Sequence, residues 1–281
     1  MVELGKKNTL TIARKVDFGC YLDGENLGEI LIPKRYVSPH SIIGDKIDVF
    51  VYLDGEERLV ATTEEPLAQV GDFACLKVNK VENVGAFLEW GVMKELLVPF
   101  SEQKIKMEEG RYYIVYVYID PLTERITASM KLEKFMSKEP ASYKFNDEVS
   151  LMIWTQTEFG YKAIINKQHL GILYKNEVFK KLTLGQKVTG YIKKVREDGK
   201  IDLTLDKQGY TKIDAIAQKI LDVLDKAGGS LPYNDKTDPE VIYKIFGVSK
   251  KVFKQSIGNL FKQRIIELTD KGFNRVKGEA E

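Results

Sequence analysis

The chain has 281 residues, 43% of them hydrophobic and 30% charged, with 8 Pro and 22 Gly; it is long enough for several cores, and disordered and fibrous classes are excluded. Its longest uninterrupted apolar run, Tyr112 to Ile119, is too short for a bilayer-spanning helix, and Met1 to Gly5 lack the basic and apolar regions of a signal peptide, so a cytoplasmic protein without a membrane partner is expected. Formal net charge is only +2, but residues 1–66 carry −4, 67–140 −1, 141–209 +4 and 210–281 +3, so contact with a polyanion is expected from the back half.

Those divisions follow an internal repeat. Four anchors recur at intervals of 13, 15 and 11 residues: Gly5, Phe18, Pro33 and Gly44; Gly71, Val84, Pro99 and Gly110; Asn146, Phe159, Tyr174 and Gly185. Within the first copy, Phe18-Gly19-Cys20-Tyr21 precedes the apolar run Ile30-Leu31-Ile32-Pro33. Val49 to Leu53, a turn at Asp54-Gly55 and Arg58-Leu59-Val60 then read as strand, turn, strand. The second copy repeats this with Val84-Gly85-Ala86-Phe87, Leu96 to Pro99, Tyr112 to Ile119, Asp120-Pro121 and Arg125-Ile126-Thr127. The third has Phe159-Gly160-Tyr161-Lys162, Val188 to Val195, Asp198-Gly199 and Lys200-Ile201-Asp202-Leu203. About five short strands per copy suit a small closed Greek-key barrel.

After Gln208-Gly209 the period becomes helical. Ile213, Ile216, Ala217, Ile220, Leu221, Val223 and Leu224 form one stripe, closed by Gly228-Gly229. Asp238-Pro239 opens a second helix that ends at Gly247, and Ser249 caps a third that is expected to hold Val252, Phe253, Ile257, Leu260 and Phe261 inside. Ile265 to Val276 reads as a hairpin, so residues 210–281 form a winged helix. From Ile245 to Lys277 there are eight basic groups, Lys250, Lys251 and Lys254 among them, against two acidic ones.

Enzymatic chemistry has little support. Cys20 and Cys75 have no CxxC spacing and sit in strand-like alternations, and His40 and His169 have no neighbouring Cys or His. Asp235, Asp238 and Glu240 fit a turn and a helix cap better than a metal site. No phosphate-binding glycine motif is present, so no cofactor, metal or small-molecule substrate is expected.

On these motifs each copy resembles the S1 family of OB-fold domains, the second most fully, from Gly71-Asp72 through Gly85-Ala86-Phe87 to Arg125-Ile126-Thr127-Ala128-Ser129. That resemblance implies single-stranded RNA bound on the barrel face, with bases stacked on aromatics of the second and third strands and basic side chains on phosphates. Phe18, Tyr21 and Arg58 match those positions in the first copy, with Leu31 in place of the stacking histidine. Phe87 and Arg125 match in the second, where Val84 replaces the first aromatic and Leu97 the histidine. In the third, Phe159 and Lys200 match, Lys162 replaces the second aromatic, and Tyr174 is placed at the histidine position and expected to be more exposed than Phe159. Its positive charge makes the third copy the favoured RNA site.

The whole order, together with Leu231-Pro232-Tyr233-Asn234-Asp235-Lys236-Thr237-Asp238-Pro239-Glu240 and Ser249-Lys250-Lys251-Val252-Phe253-Lys254, resembles the conserved virulence factor B family. The expected protein is thus multidomain and mainly β: S1-like five-stranded barrels at 1–66, 67–140 and 141–209, then an α+β winged helix at 210–281. The resemblance implies a non-catalytic RNA-binding regulator of gene expression. Two other functions fit the same residues: an adaptor docking on the ribosome or RNA polymerase, and a duplex-DNA-binding regulator acting through the helix from Lys250 to Lys262.

Overall fold

The computed structural model describes residues 1–175, 177–178, 181–207, 212–234 and 236–276, with the backbone alone at 212–215. It divides into two units, Met1–Leu203 and Thr204–Glu281.

The first unit holds the three repeats as five-stranded elements. β1 (Lys7–Val16), β2 (Gly19–Asp23), β3 (Glu29–Pro33), β4 (Lys46–Leu53) and β5 (Leu59–Thr62) form a closed barrel. The second repeat contributes β6 (Phe73–Glu82), β7 (Gly85–Leu88), β8 (Leu96–Pro99), β9 (Tyr112–Ile119) and β10 (Ile126–Ser129). The third contributes β11 (Glu148–Thr157), β12 (Gly160–Ile165), β13 (His169–Tyr174), β14 (Lys187–Val195) and β15 (Ile201–Thr204), again a closed barrel. Closure is parallel, through Leu31 opposite Val60 in the first and Gly171 to Leu173 opposite Ile201 to Leu203 in the third. The second is nearly closed: its sheet runs β10-β9-β6-β7-β8, and β8 and β10 lie side by side with no ladder joining them among the described residues. Its third strand, four residues long, is the shortest of the three and offers the least length for a parallel ladder.

The first and last of the four anchors are backbone requirements. Gly5, Gly71 and Asn146 take φ of +73°, +94° and +65°, and each donates its N–H to the fourth strand, at Val51, Val117 and Ile192. Asn tolerates this left-handed conformation better than most residues, which explains its substitution for Gly in the third copy. Gly44, Gly110 and Gly185, also left-handed, donate to the carbonyls of Ile12, Val78 and Ile153. At those three residues each first strand carries a bulge, where its register to the second strand slips between Ile12 and Arg14, Val78 and Lys80, and Ile153 and Thr155. A bulge coils the strand enough for a short sheet to curl into a barrel. The glycine that opens each second strand lies flat against the third strand. A Cβ on Gly19, Gly85 or Gly160 would stand 2.2, 2.2 or 2.0 Å from the carbonyl oxygen of Ile32, Val98 or Leu173.

Shared apolar cores join the barrels within this unit. Phe50, Tyr52 and Val60 of the first pack into the core of the second, where the Phe50 ring meets Trp90 edge-on at 5.3 Å and the Trp90 indole N–H donates to the Ala68 carbonyl at 2.7 Å. Phe73, Ile114 and Leu132 of the second repeat cluster with Ile164, Met152, Trp154 and Leu170 of the third. Ion pairs border both seams: Arg125 with Glu57 at the first, Lys167 with Asp72 at 2.6 Å at the second. Cys20 is buried, and Cys75 lies half-buried at the second seam beneath Gly185, where burial raises its thiol pKa.

The second unit has α1 (Lys212–Lys226), β16 (Ser230–Leu231), α2 (Pro239–Phe246), α3 (Lys250–Lys262), β17 (Ile266–Thr269) and β18 (Gly272–Arg275). Ile220, Leu224, Ile242, Phe246, Phe253, Leu260, Ile266 and Phe273 form its core. Asp238 caps α2 by accepting from the Glu240 N–H at 2.7 Å, Pro239 follows in the first turn, and Gly247 ends the helix at φ +69°. Ser249 caps α3. Two features differ from expectation. The hairpin is extended by β16 into a three-stranded sheet of order β16-β18-β17, and Phe261 is 49% exposed, because α3 turns it away from the Phe253–Ile257–Leu260 face. Asp235, Lys277 and the junction at 208–211 lie outside the described residues.

Gly160→Ala should lower the thermal midpoint of the full chain by several degrees, through a loss of roughly 2–4 kcal/mol from the carbonyl clash and the φ of +146°. Gly55→Ala, in open space, should leave it unchanged. Equal midpoints for the two variants would refute the close-approach argument.

Candidate nucleic-acid interface

Cross-strand partners in a sheet put their side chains on one face, so the registers define three equivalent surfaces. In the first barrel Arg14 lies opposite Tyr21, Tyr21 opposite Leu31 and Gly19 opposite Pro33. The second barrel repeats this with Lys80, Phe87, Leu97, Gly85 and Pro99. In the third, Thr155 lies opposite Lys162, Lys162 opposite Ile172 and Gly160 opposite Tyr174. The register therefore corrects the sequence alignment: Ile172 is the residue equivalent to Leu31 and Leu97, whereas Tyr174 is equivalent to Pro33 and Pro99. The repeat had in fact aligned Tyr174 with the prolines, and the pairing of β12 with β13 bears that spacing out.

Hairpin tips carry the first aromatics. Phe18 and Phe159 sit in the turns before β2 and β12 and are 59% and 72% exposed, as is Val84, at 57%, in the second barrel. Core packing of Phe159 is thus excluded. The carbonyl of Phe159 accepts from the Lys175 N–H at 2.9 Å, which fixes the tip beside the end of β13. Tyr174 there is half-buried, and its hydroxyl donates to Asp202 at 3.1 Å; Phe159, not Tyr174, is the more exposed ring.

Charge separates the three surfaces. In the first barrel the Arg14 guanidinium stacks 3.7 Å from the Tyr21 centroid and is held by Glu29 in a bidentate pair at 2.8–3.1 Å. That hydrogen bond keeps the Glu29 carboxyl below its ordinary pKa. The second barrel repeats the set: Lys80 lies 4.9 Å from the Phe87 centroid and pairs with Glu82 at 2.9 Å and Glu95 at 3.4 Å. Each of these cations is answered by at least one carboxylate. In the third barrel Thr155 stands at the cation position, Lys162 at the aromatic position, and Leu170 replaces Glu29 and Glu95. Its Lys162 is exposed and, among the described residues, has no ion-pair partner.

The remaining basic residues vary. Arg58 is forked onto Asp54 at 2.7 and 2.9 Å with Glu56 beside it, and Arg125 is paired to Glu57 of the first barrel. Both ion pairs are at the surface, where Arg58 and Arg125 stay more than half exposed. Lys200 pairs with Asp198 at 3.0 Å, which keeps that carboxyl below its ordinary range, yet remains 62% exposed. On α3, Lys251 and Lys254 are exposed and Lys250 is half-buried; Lys251 lies on the side away from Phe253 and Leu260, with Lys250 and Lys254 at its flank. His169 is engaged at both ring nitrogens, with the Tyr143 hydroxyl at 3.0 Å and the Glu139 carbonyl at 3.1 Å. No cluster of three potential metal ligands occurs among the described residues.

Two family models match the chain: an S1 domain over residues 4–64 and a CvfB-like winged helix domain over residues 218–274. Conserved virulence factor B of Staphylococcus epidermidis is 27% identical, with 83% of each chain covered. Over most of its length the chain is thus similar to proteins of the conserved virulence factor B family. YitL of Bacillus subtilis is 29% identical over 92% of this chain and 89% of its own length. A solved multidomain protein with nucleic acid binding domains from Streptococcus pneumoniae is 24% identical and covers 97% of this chain and 98% of its own, with a TM-score of 0.40. The matched families are domain families without an enzymatic role. No helix among the described residues is long and apolar enough to cross a membrane.

Because Arg58 and Arg125 are already paired, Arg58→Ala and Arg125→Ala should each change affinity for a single-stranded RNA by less than about twofold in filter binding. A larger loss in a well-folded variant would return these arginines to the interface.

Proposed function

We propose that this protein is a cytoplasmic, non-catalytic regulator of gene expression that binds single-stranded RNA, chiefly through the third barrel, with the winged helix adding backbone contacts. The observation that carries this reading is the third surface: an exposed Phe159 tip beside Tyr174, with Lys162, which forms no salt bridge among the described residues, where the first two barrels have a ring covered by a neutralised cation. Stacking on an exposed ring and attraction of phosphates to an exposed lysine are the two contributions that bind a single strand without reading its sequence. Lys200, Lys250, Lys251 and Lys254 extend the positive charge of residues 141–281. In this reading Tyr21 and Phe87 contribute little, because they are stacked under their own Arg14 and Lys80. The S1 and CvfB-like winged helix matches support nucleic-acid binding as the shared property.

Filter binding with an unstructured RNA against duplex DNA tests the assignment. The RNA should bind more tightly, with affinity falling steeply as salt rises. Phe159→Ala should cost about 1–3 kcal/mol of binding with no loss of thermal stability, since its ring has no core contacts to lose. Lys162→Ala should lower the salt slope by about one. Equal or tighter binding of duplex DNA would shift the function to α3, and salt-independent retention would refute the polyanion reading.

A further inference from the structure

The third barrel departs from the other two at its bulge as well as on its face. The extra residue that the bulge inserts into the first strand is Ala13 in the first barrel, Asn79 in the second and Trp154 in the third. Cation and aromatic have thus exchanged strands. In the first two barrels the cation lies on the first strand and the ring on the second; in the third the ring is Trp154 of β11 and the cation Lys162 of β12, with its ammonium 5.9 Å from the indole centroid.

A second cation reaches the same ring from another barrel. Lys104, in the segment between β8 and β9 of the second repeat, places its ammonium 5.4 Å from the Trp154 centroid and pairs with Glu133, which follows β10. Burial works to raise the Glu133 pKa, but the hydrogen bond from Lys104 and the fields of Lys104 and Lys162 bring it below its ordinary value. The charge count differs from the other two sets. Arg14 meets one carboxylate and Lys80 two, whereas here two lysines share one. Trp154 is half-buried on the seam formed by Phe73, Ile114, Leu132 and Ile164, so the ring is held in place while part of it stays accessible.

We propose that Trp154, Lys104 and Lys162 form a nucleotide subsite at the junction of the second and third barrels, which stacks one base of a single-stranded RNA on the indole and takes the flanking phosphates on the two ammonium groups. The proposal rests on the reading of the third barrel as the RNA surface and extends that surface onto the second repeat. Indole is a large rigid platform, and a fixed ring loses little freedom on stacking. The two lysines, on flexible stems, can leave the ring for phosphates while their aliphatic carbons still line it. A phosphate here competes with a single carboxylate, Glu133, which is hydrogen-bonded to Lys104 and acts on Lys162 only through its field.

Fluorescence separates this subsite from the rest of the surface, because the chain has two tryptophans and Trp90 is 2% exposed. An unstructured RNA of about ten nucleotides, titrated into the full chain at low salt, should quench the emission in step with retention in filter binding. Trp154→Phe should abolish the quenching while preserving the fold. Lys104→Ala should lose roughly three- to tenfold in affinity and about one in salt slope, and Lys104→Arg should retain both; each variant is checked by its thermal midpoint. Emission that stays unchanged while the filter assay saturates, or a well-folded Lys104→Ala with the affinity and salt slope of the unaltered chain, would overturn the subsite and leave the third-barrel reading standing. A wild-type chain that retains no RNA at low salt would overturn both.

Discussion

Every barrel in this protein depends on one close approach, the backbone of a glycine lying directly against a carbonyl of the neighbouring strand. Gly19, Gly85 and Gly160 leave no room for a Cβ before the oxygens of Ile32, Val98 and Leu173. The contact sets the hairpin that carries Phe18, Val84 or Phe159 at its tip, and through the register it decides which residues of the second and third strands share a face. The bulge in each first strand completes the curl, with the amide of Gly44, Gly110 or Gly185 bonded to the residue where the register slips. Side chains vary widely around these points because the backbone geometry carries the fold.

On that common frame the electrostatics diverge. Cation, ring and carboxylate stand at equivalent positions in the first two barrels, Arg14, Tyr21 and Glu29 repeating as Lys80, Phe87 and Glu95. A cation so paired gains little from a phosphate, since the phosphate must displace a carboxylate already at hydrogen-bond distance. The third barrel has lost both the carboxylate and the first-strand cation from its face. Its lysine, with the indole at its bulge, faces Lys104 of the second repeat. The barrels therefore share a fold but not a surface chemistry, and the shared cores between them within Met1–Leu203 make the second seam part of the third barrel's surroundings.

The winged helix follows simpler rules. Asp238, Pro239 and Gly247 bracket α2, Ser249 starts α3, and the apolar stripes pack into one core with the wing. Lys251 and Lys262 lie on the side of α3 opposite Phe253 and Leu260, with Lys250 and Lys254 at its flank, so the charge written along the chain becomes a charged helix face.

Local features were determined by the sequence alone. The repeat, with its glycines and Asp-Gly turns, is written in residues that the backbone requires at special φ angles or close contacts. Strand alternation, helix caps and the C-terminal stripe are likewise short-range, so barrels and winged helix could be read from order and spacing. What tertiary structure decided involves residues far apart in the chain. The antiparallel register decided between two readings of Tyr174, placing it with Pro33 and Pro99 as the repeat spacing has it and not at the histidine position. Arg125 meets Glu57 and Lys104 meets Trp154 only because separate repeats pack together. Phe261 fits the periodicity of a buried residue, yet only the direction in which α3 meets the core turns it outward. Composition supplied the positive charge of the back half; whether each cation is spent on a carboxylate or left for a phosphate depends on distances of a few ångströms, which folding sets and sequence spacing does not.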